Sequence, residues 1–206
     1  MTRSLSTVVL ALAAGALTTA ANAGFVATAA PLDSGSGYGD RATVVYSGIP
    51  GPYSAFANAT GAIGFDNYTT TLPGSTFLLE SLSFVGNVTT VGGTLTFEFF
   101  DSASNFVTSF SGSLPAISPS IWTLTLTTPA TVPTAGILQI RAAATTTGRW
   151  FLTTSAPSIG TNAVGVGIGS GLNPQRNNAF ELTAVPAPAG LALAGLAGLF
   201  AGRRRR

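Results

Sequence analysis

Few residues of this chain are equipped for chemistry. It contains no histidine and no cysteine, so serine and cysteine triads lack their usual base, and neither imidazole nor thiolate is there to hold zinc. Carboxylates remain. There are seven: Asp33, Asp40, Asp66, Glu80, Glu98, Asp101 and Glu181. A glycoside hydrolase would need two of them facing each other across a sugar, but Glu80 and Glu98 lie in alternating patterns that read as solvent-facing strand positions. Asp33 and Asp40 bracket a glycine-rich run, and their oxygens are the donor type that Ca²⁺ accepts, with Glu181 as a further oxygen donor from the last strand. The spacing matches no EF-hand, and the plain alternative is a solvated loop. No catalytic residue, metal ligand or cofactor is assigned from the sequence.

A second group of residues suits binding rather than catalysis. Gly169 to Asn178 is the most polar run of the body, with amides at Asn173, Gln175, Asn177 and Asn178 around Arg176. An amide both donates and accepts, as sugar hydroxyls require. Tyr38, Tyr46, Tyr53, Tyr68 and Trp150 are the aromatic residues that could serve as sugar platforms. Exposure of the loop to water is the plain alternative here too.

These residues are expected to sit on an all-β body. Thr94 to Phe99 and Trp122 to Thr127 alternate polar and apolar residues, which places Leu95, Phe97 and Phe99, or Trp122, Leu124 and Leu126, on one face. Similar runs occur at 43–47, 77–85, 106–112, 136–142, 150–154, 164–168 and 179–183. Pro73-Gly74, Gly92-Gly93 and Ser102 to Asn105 punctuate them. Asp101 to Asn105 reads as the bend of a hairpin between two aromatic-rich strands. Phe97, Phe99, Phe110 and Trp122 read as core. Short strands, each with one buried face, predict a single two-sheet β-sandwich of jelly-roll type spanning 24–183.

Both ends differ from this body. Residues 1–23 carry Arg3, an apolar stretch from Val8 to Leu17 and the small-residue end Ala21-Asn22-Ala23, the pattern of a secretory signal peptide cut after Ala23 to leave Gly24 first. Residues 184–206 begin with Val185-Pro186-Ala187-Pro188, continue as an apolar Leu/Ala/Gly run and end at Arg203, Arg204, Arg205 and Arg206. The apolar part would span about 21 Å as a helix, short of the roughly 30 Å hydrocarbon core. Arginines flanking such a helix stay on the cytoplasmic side. Gly190, Ala194, Gly198 and Gly202 recur every four residues, giving the helix a smooth face that another membrane helix can approach closely.

The two ends also distort the charge. The chain nets +2, but five of its nine arginines lie in the terminal segments. The four in the body (Arg41, Arg141, Arg149 and Arg176) face seven acids, a net charge of −3. Such a body has no basic surface for a phosphate backbone, which argues against nucleic acid as a partner. Without cysteine it must be held by its core alone.

The order Val185-Pro186-Ala187-Pro188, apolar helix and terminal arginines resembles the PEP-CTERM sorting signal of Gram-negative bacteria, with Ala187 in place of the eponymous glutamate. The resemblance implies export by the Sec machinery, transient anchoring in the inner membrane and cleavage by exosortase, a membrane-embedded cysteine transpeptidase. It implies a destination at the cell surface or in the extracellular matrix. More loosely, the body resembles the β-sandwich ectodomains that precede such tails, which implies a non-enzymatic surface protein and extracellular polysaccharide as a partner. A carbohydrate-binding adhesin is the alternative, and a secreted glycan hydrolase or lyase is a more distant one.

Overall fold

The computed structural model describes residues 18–21, 24–32, 44–54, 59–60, 63–162 and 177–185. Among them every regular element is a strand. In chain order these are β1 (Thr18–Ala21), β2 (Phe25–Pro31), β3 (Val44–Ser47), β4 (Tyr53–Ser54), β5 (Ala59–Thr60), β6 (Ile63–Thr69), β7 (Thr76–Val88) and β8 (Gly93–Asp101). They continue as β9 (Phe106–Leu114), β10 (Ser120–Pro133), β11 (Ala135–Ala142), β12 (Thr147–Trp150), β13 (Leu152–Thr153), β14 (Asn177–Asn178) and β15 (Phe180–Ala184).

Pairing is antiparallel throughout and nested. From the tight turn outward, β8 pairs β9, β7 pairs β10, β6 pairs β11 and β3 pairs β15. Successive pairs alternate between two sheets. One is four-stranded in the order β6-β11-β8-β9. The other is eight-stranded, running β1-β2-β10-β7 from its β1 edge inward, with both β12 and β15 along the far side of β7. A small sheet, β14-β13-β4, lies beside them.

The sandwich closes because period-two alternation gives each strand one apolar face. β8 contributes Leu95, Phe97 and Phe99; β10 contributes Trp122, Leu124 and Leu126; β7 contributes Leu79, Leu82 and Phe84; β15 contributes Phe180 and Leu182. Phe97 is the hinge of this packing, with its ring 5.5 Å from Phe84, 5.3 Å from Phe110 and 6.2 Å from Phe25. Each such side chain removed from water contributes about 1.5–3 kcal/mol, and no disulfide assists. A second cluster of Ile49, Val85, Ile121, Phe151 and Ala179 covers part of the opposite face of the large sheet.

The strands expected at 43–47, 77–85, 106–112, 136–142 and 179–183 are present, several of them longer than the alternation alone indicates. The run 150–154 divides at Phe151, whose side chain joins the second cluster while its N–H bonds Val85 O at 2.8 Å. The run 164–168 lies outside the described residues. Two long strands, β2 and β6, are additions to the sequence reading.

Candidate functional site

The residues singled out by type land in very different surroundings. Val185 follows β15 directly and its N–H still bonds Leu78 O at 2.9 Å. Pro186, Ala187, Pro188, the helix face at Gly190, Ala194, Gly198 and Gly202, and Arg203 to Arg206 lie outside the described residues. Ala21 is the last residue of β1, which pairs β2. Ala23 is outside, and the Gly24 carbonyl accepts from Thr127 N at 3.2 Å. Asp33, Asp40 and Tyr38 are also outside. Among the described residues no cluster of three or more carboxylates gathers to hold a metal, and no helix is long and apolar enough to cross a membrane.

Three of the candidate sugar platforms belong to the core instead. Tyr46 is fully buried with its ring stacked 4.6 Å from Phe180, and Tyr68 and Trp150 are buried around the same ring at 6.2 and 5.7 Å. Trp150 also donates its indole N–H to Ala179 O at 3.0 Å. Tyr53 is half-buried beside the second cluster. The end of the polar run is likewise enclosed, because Asn177 and Asn178 form β14 and are buried.

What holds Asn178 inside is a carboxylate. β6 turns Gly64, Asp66 and Tyr68 inward, so Asp66 lies between the sheets with no exposed surface. One of its oxygens accepts from Asn67 N at 2.8 Å and the other from Asn178 N at 2.7 Å. The Asn178 amide returns a bond to Phe65 O at 3.1 Å. Asp66 therefore ties β6 to the segment leading into β15. Burial pushes its carboxyl up to about 7, against the opposing pull of the two N–H bonds. Burial also raises the neighbouring Tyr46 phenol, and the charge on Asp66 adds to that rise. The Asn162 side chain lies beside the Tyr46 phenol and opposes that rise. Sealed from water, this centre is a structural pin.

Glu181 is the other interior carboxylate among the described residues. It sits on β15 opposite Ser47, whose hydroxyl donates to Glu181 Oε2 at 3.0 Å. The first and last strands of the nested pairing thus meet through a polar contact.

Open chemistry appears on the outer face of the four-stranded sheet. In register across three strands stand Gln139 of β11, Glu98 of β8 and Ser109 of β9, with Phe65 of β6 beside Gln139. Glu98 accepts from the Gln139 amide and from Arg141 Nε and Nη2 at 3.4 and 3.3 Å. Next to them Phe100 and Phe106 pack edge to face at 5.8 Å, and Phe106 is 58% exposed. A depression of about 190 Å³ adjoins Phe100 at the strand ends, lined by Asn67, Thr69, Ser102, Gly136 and Ile137 among others. Aromatic edges beside an amide, a guanidinium and a carboxylate form a surface that can stack on a ring and bond its hydroxyls. Each of these polar positions is visible as the outward residue of an alternating run, but nothing in the sequence makes the strands neighbours. Comparison with protein-family models, curated proteins and solved structures finds no match for this chain.

Proposed function

We propose that this chain is an exported, non-enzymatic surface or extracellular-matrix protein whose jelly-roll sandwich is carried to its destination by a PEP-CTERM-like tail. The observation that carries the reading is how closely the last described strand approaches the proline motif. β15 is the buried partner of both β3 and β7, and just after it Val185, immediately before Pro186, still bonds Leu78 O. Proline cannot donate and continue the ladder. Cleavage by exosortase within 186–189 would release the sandwich without cutting β15, which ends at Ala184. At the other end, removal of residues 1–23 takes away, among the described residues, β1, whose partner is β2. The mass of the mature protein from its native host tests this. We expect an N-terminus at Gly24 and a C-terminus within 186–189; a chain retaining Arg206 overturns the sorting reading.

A carbohydrate-binding adhesin is a second reading, favoured by the Glu98-Gln139-Arg141 group beside exposed Phe106. It predicts retention on an array of bacterial polysaccharides, weakened by roughly tenfold or more in Arg141→Ala or Phe106→Ala. Equal retention of parent and variants would remove that face from consideration.

A further inference from the structure

A sheet has two edges, and the four-stranded sheet treats its two differently. The β6 edge is closed. Thr69 N bonds Thr161 O at 2.7 Å and Thr161 N returns a bond to Thr69 O at 2.9 Å. The Asn178 amide occupies Phe65 O, and Asp66 locks the same segment from within.

The β9 edge has none of this from Phe106 to Gly112. That stretch pairs β8 on one side, and among the described residues no backbone bond is made from its other side. An open edge is a template for another strand, and proteins ordinarily blunt it with lysine, proline or a covering loop. Phe106-Val107-Thr108-Ser109-Phe110-Ser111-Gly112 contains no charge and no proline. Phe106 and Val107 at its start are 58% and 39% exposed.

The side-chain order of this edge indicates what would pair with it. Phe110 points inward, where its ring meets Phe25, Phe97 and Phe99. Alternation then turns Ser109 and Ser111 outward, and both are exposed. Around Phe110 the strand is nearly symmetric: serine flanks it on both sides, and small Thr108 and Gly112 follow. Reversed, this stretch matches itself. An antiparallel partner related by a two-fold axis at Phe110 sets Ser109 opposite Ser111, Thr108 opposite Gly112 and Phe110 opposite itself. Outward polar residues meet outward polar residues, and the missing side chain at Gly112 leaves room for the facing ring. Self-complementarity of this kind is what an isologous interface requires.

We propose that β9 is a self-association edge, through which two copies of this chain join antiparallel about Phe110 and fuse their four-stranded sheets into one of eight strands. The main chain supplies the attraction, and the exposed Phe106 and Val107 of each copy are drawn toward the far end of its partner's β9. The partner is a second copy because the register that satisfies the edge is the one the strand makes with itself.

Sedimentation of the full-length chain, with circular dichroism to confirm folding, tests the proposal. The parent is expected to dimerise reversibly. Ser109→Lys with Ser111→Lys places like charges opposite each other at both ends of the central pair and should weaken the dimer by about tenfold or more. Ser109→Glu with Ser111→Glu should do the same. An equimolar mixture of the two doubly substituted chains should restore a dimer at parental strength, since opposite charges then face each other. A parent that stays monomeric overturns the proposal. So does a dimer that tolerates both like-charge variants, or a mixture that gains nothing over either variant alone.

Discussion

Asp66 and Asp101 perform the same local task and pay for it differently. Each is an aspartate whose side chain accepts backbone N–H groups: Asp66 from Asn67 and Asn178, Asp101 from Ala103 and Asn105. Asp101 stands at the surface, in the β8–β9 turn, and the Asn105 side-chain amide adds a bond at 2.9 Å. Bonding wins there. The Asn105 side chain, then the Asn105 N–H, hold its carboxyl below the usual carboxylate range. Asp66 lies between the sheets, where loss of hydration outweighs two good bonds and raises its carboxyl to about 7. Similar bonding is thus driven in opposite directions by depth, with the Asn105 side-chain amide adding to the pull at Asp101. What the buried residue gains is connection, for it joins positions 112 apart, whereas Asp101 organises a turn within four residues of itself.

The sharpest test of this contrast is removal of the buried group. Asp66→Ala leaves the buried Asn178 N–H without its carboxylate acceptor and a gap between the sheets. We expect a loss of about 3–5 kcal/mol at pH 6, measured by urea unfolding. A loss near zero would mean that Asn178 is held by its other contacts alone.

The second test is pH. A carboxyl raised on folding binds more protons in the folded chain than in the unfolded chain between about pH 4 and pH 7, so stability falls as pH rises through that window and levels above it. From pH 5 to pH 8 the expected fall is about 3 kcal/mol. Asp66→Asn should flatten that slope, although one of its two acceptor positions is lost. Asp101 acts in the opposite sense. Its lowered carboxyl contributes stability above the ordinary range, and this is lost as pH drops below about 4. The two carboxylates therefore leave separate signatures on one stability curve.

The contrast also explains what could be read in advance. The strands with large apolar residues on one face, such as β8 and β10, are legible because alternation and burial agree. In β6 they disagree. Ile63-Gly64-Phe65-Asp66-Asn67-Tyr68 invites Phe65 inside and Asp66 outside, yet the structure turns Asp66 inward and leaves Phe65 half-exposed. Hydropathy cannot foresee this, because the stabilising partner is the N–H of a residue 112 positions away. β2 escapes for another reason: beyond Phe25 its inward residues are Ala27 and Ala29, too small to mark a strand but the right size beneath neighbouring Trp122 and Leu124. On the outer face, Glu98, Gln139 and Arg141 are legible one at a time as outward positions, and only the nested pairing makes them a group. The Asp101 turn was readable whole, since all its partners are local.

Local partnership also sets the scale of the smaller effects. Asp101→Ala removes acceptors from Ala103 N, Asn105 N and the Asn105 amide, all of which can turn to water. We expect a fraction of the Asp66→Ala loss, seen as faster amide exchange at Ala103 and Asn105 with the β8–β9 pairing retained. An equal loss would erase the distinction drawn from depth.

Smallest of all is the effect at Ser104, which adopts φ 66° beside Asp101. This left-handed backbone strains an L side chain and suits glycine. The Ser104 N–H bonds Asp101 O at 3.0 Å, a backbone contact that Ser104→Gly keeps. Relief of strain then competes only with the extra freedom of glycine in the unfolded chain, and a net gain of about 0.5 kcal/mol is expected. Combined with Asp101→Ala, the gain should persist if geometry belongs to the backbone. If it vanishes, the Asp101 side chain is what imposes the left-handed turn, and the surface carboxylate commands more of the structure than its exposure suggests.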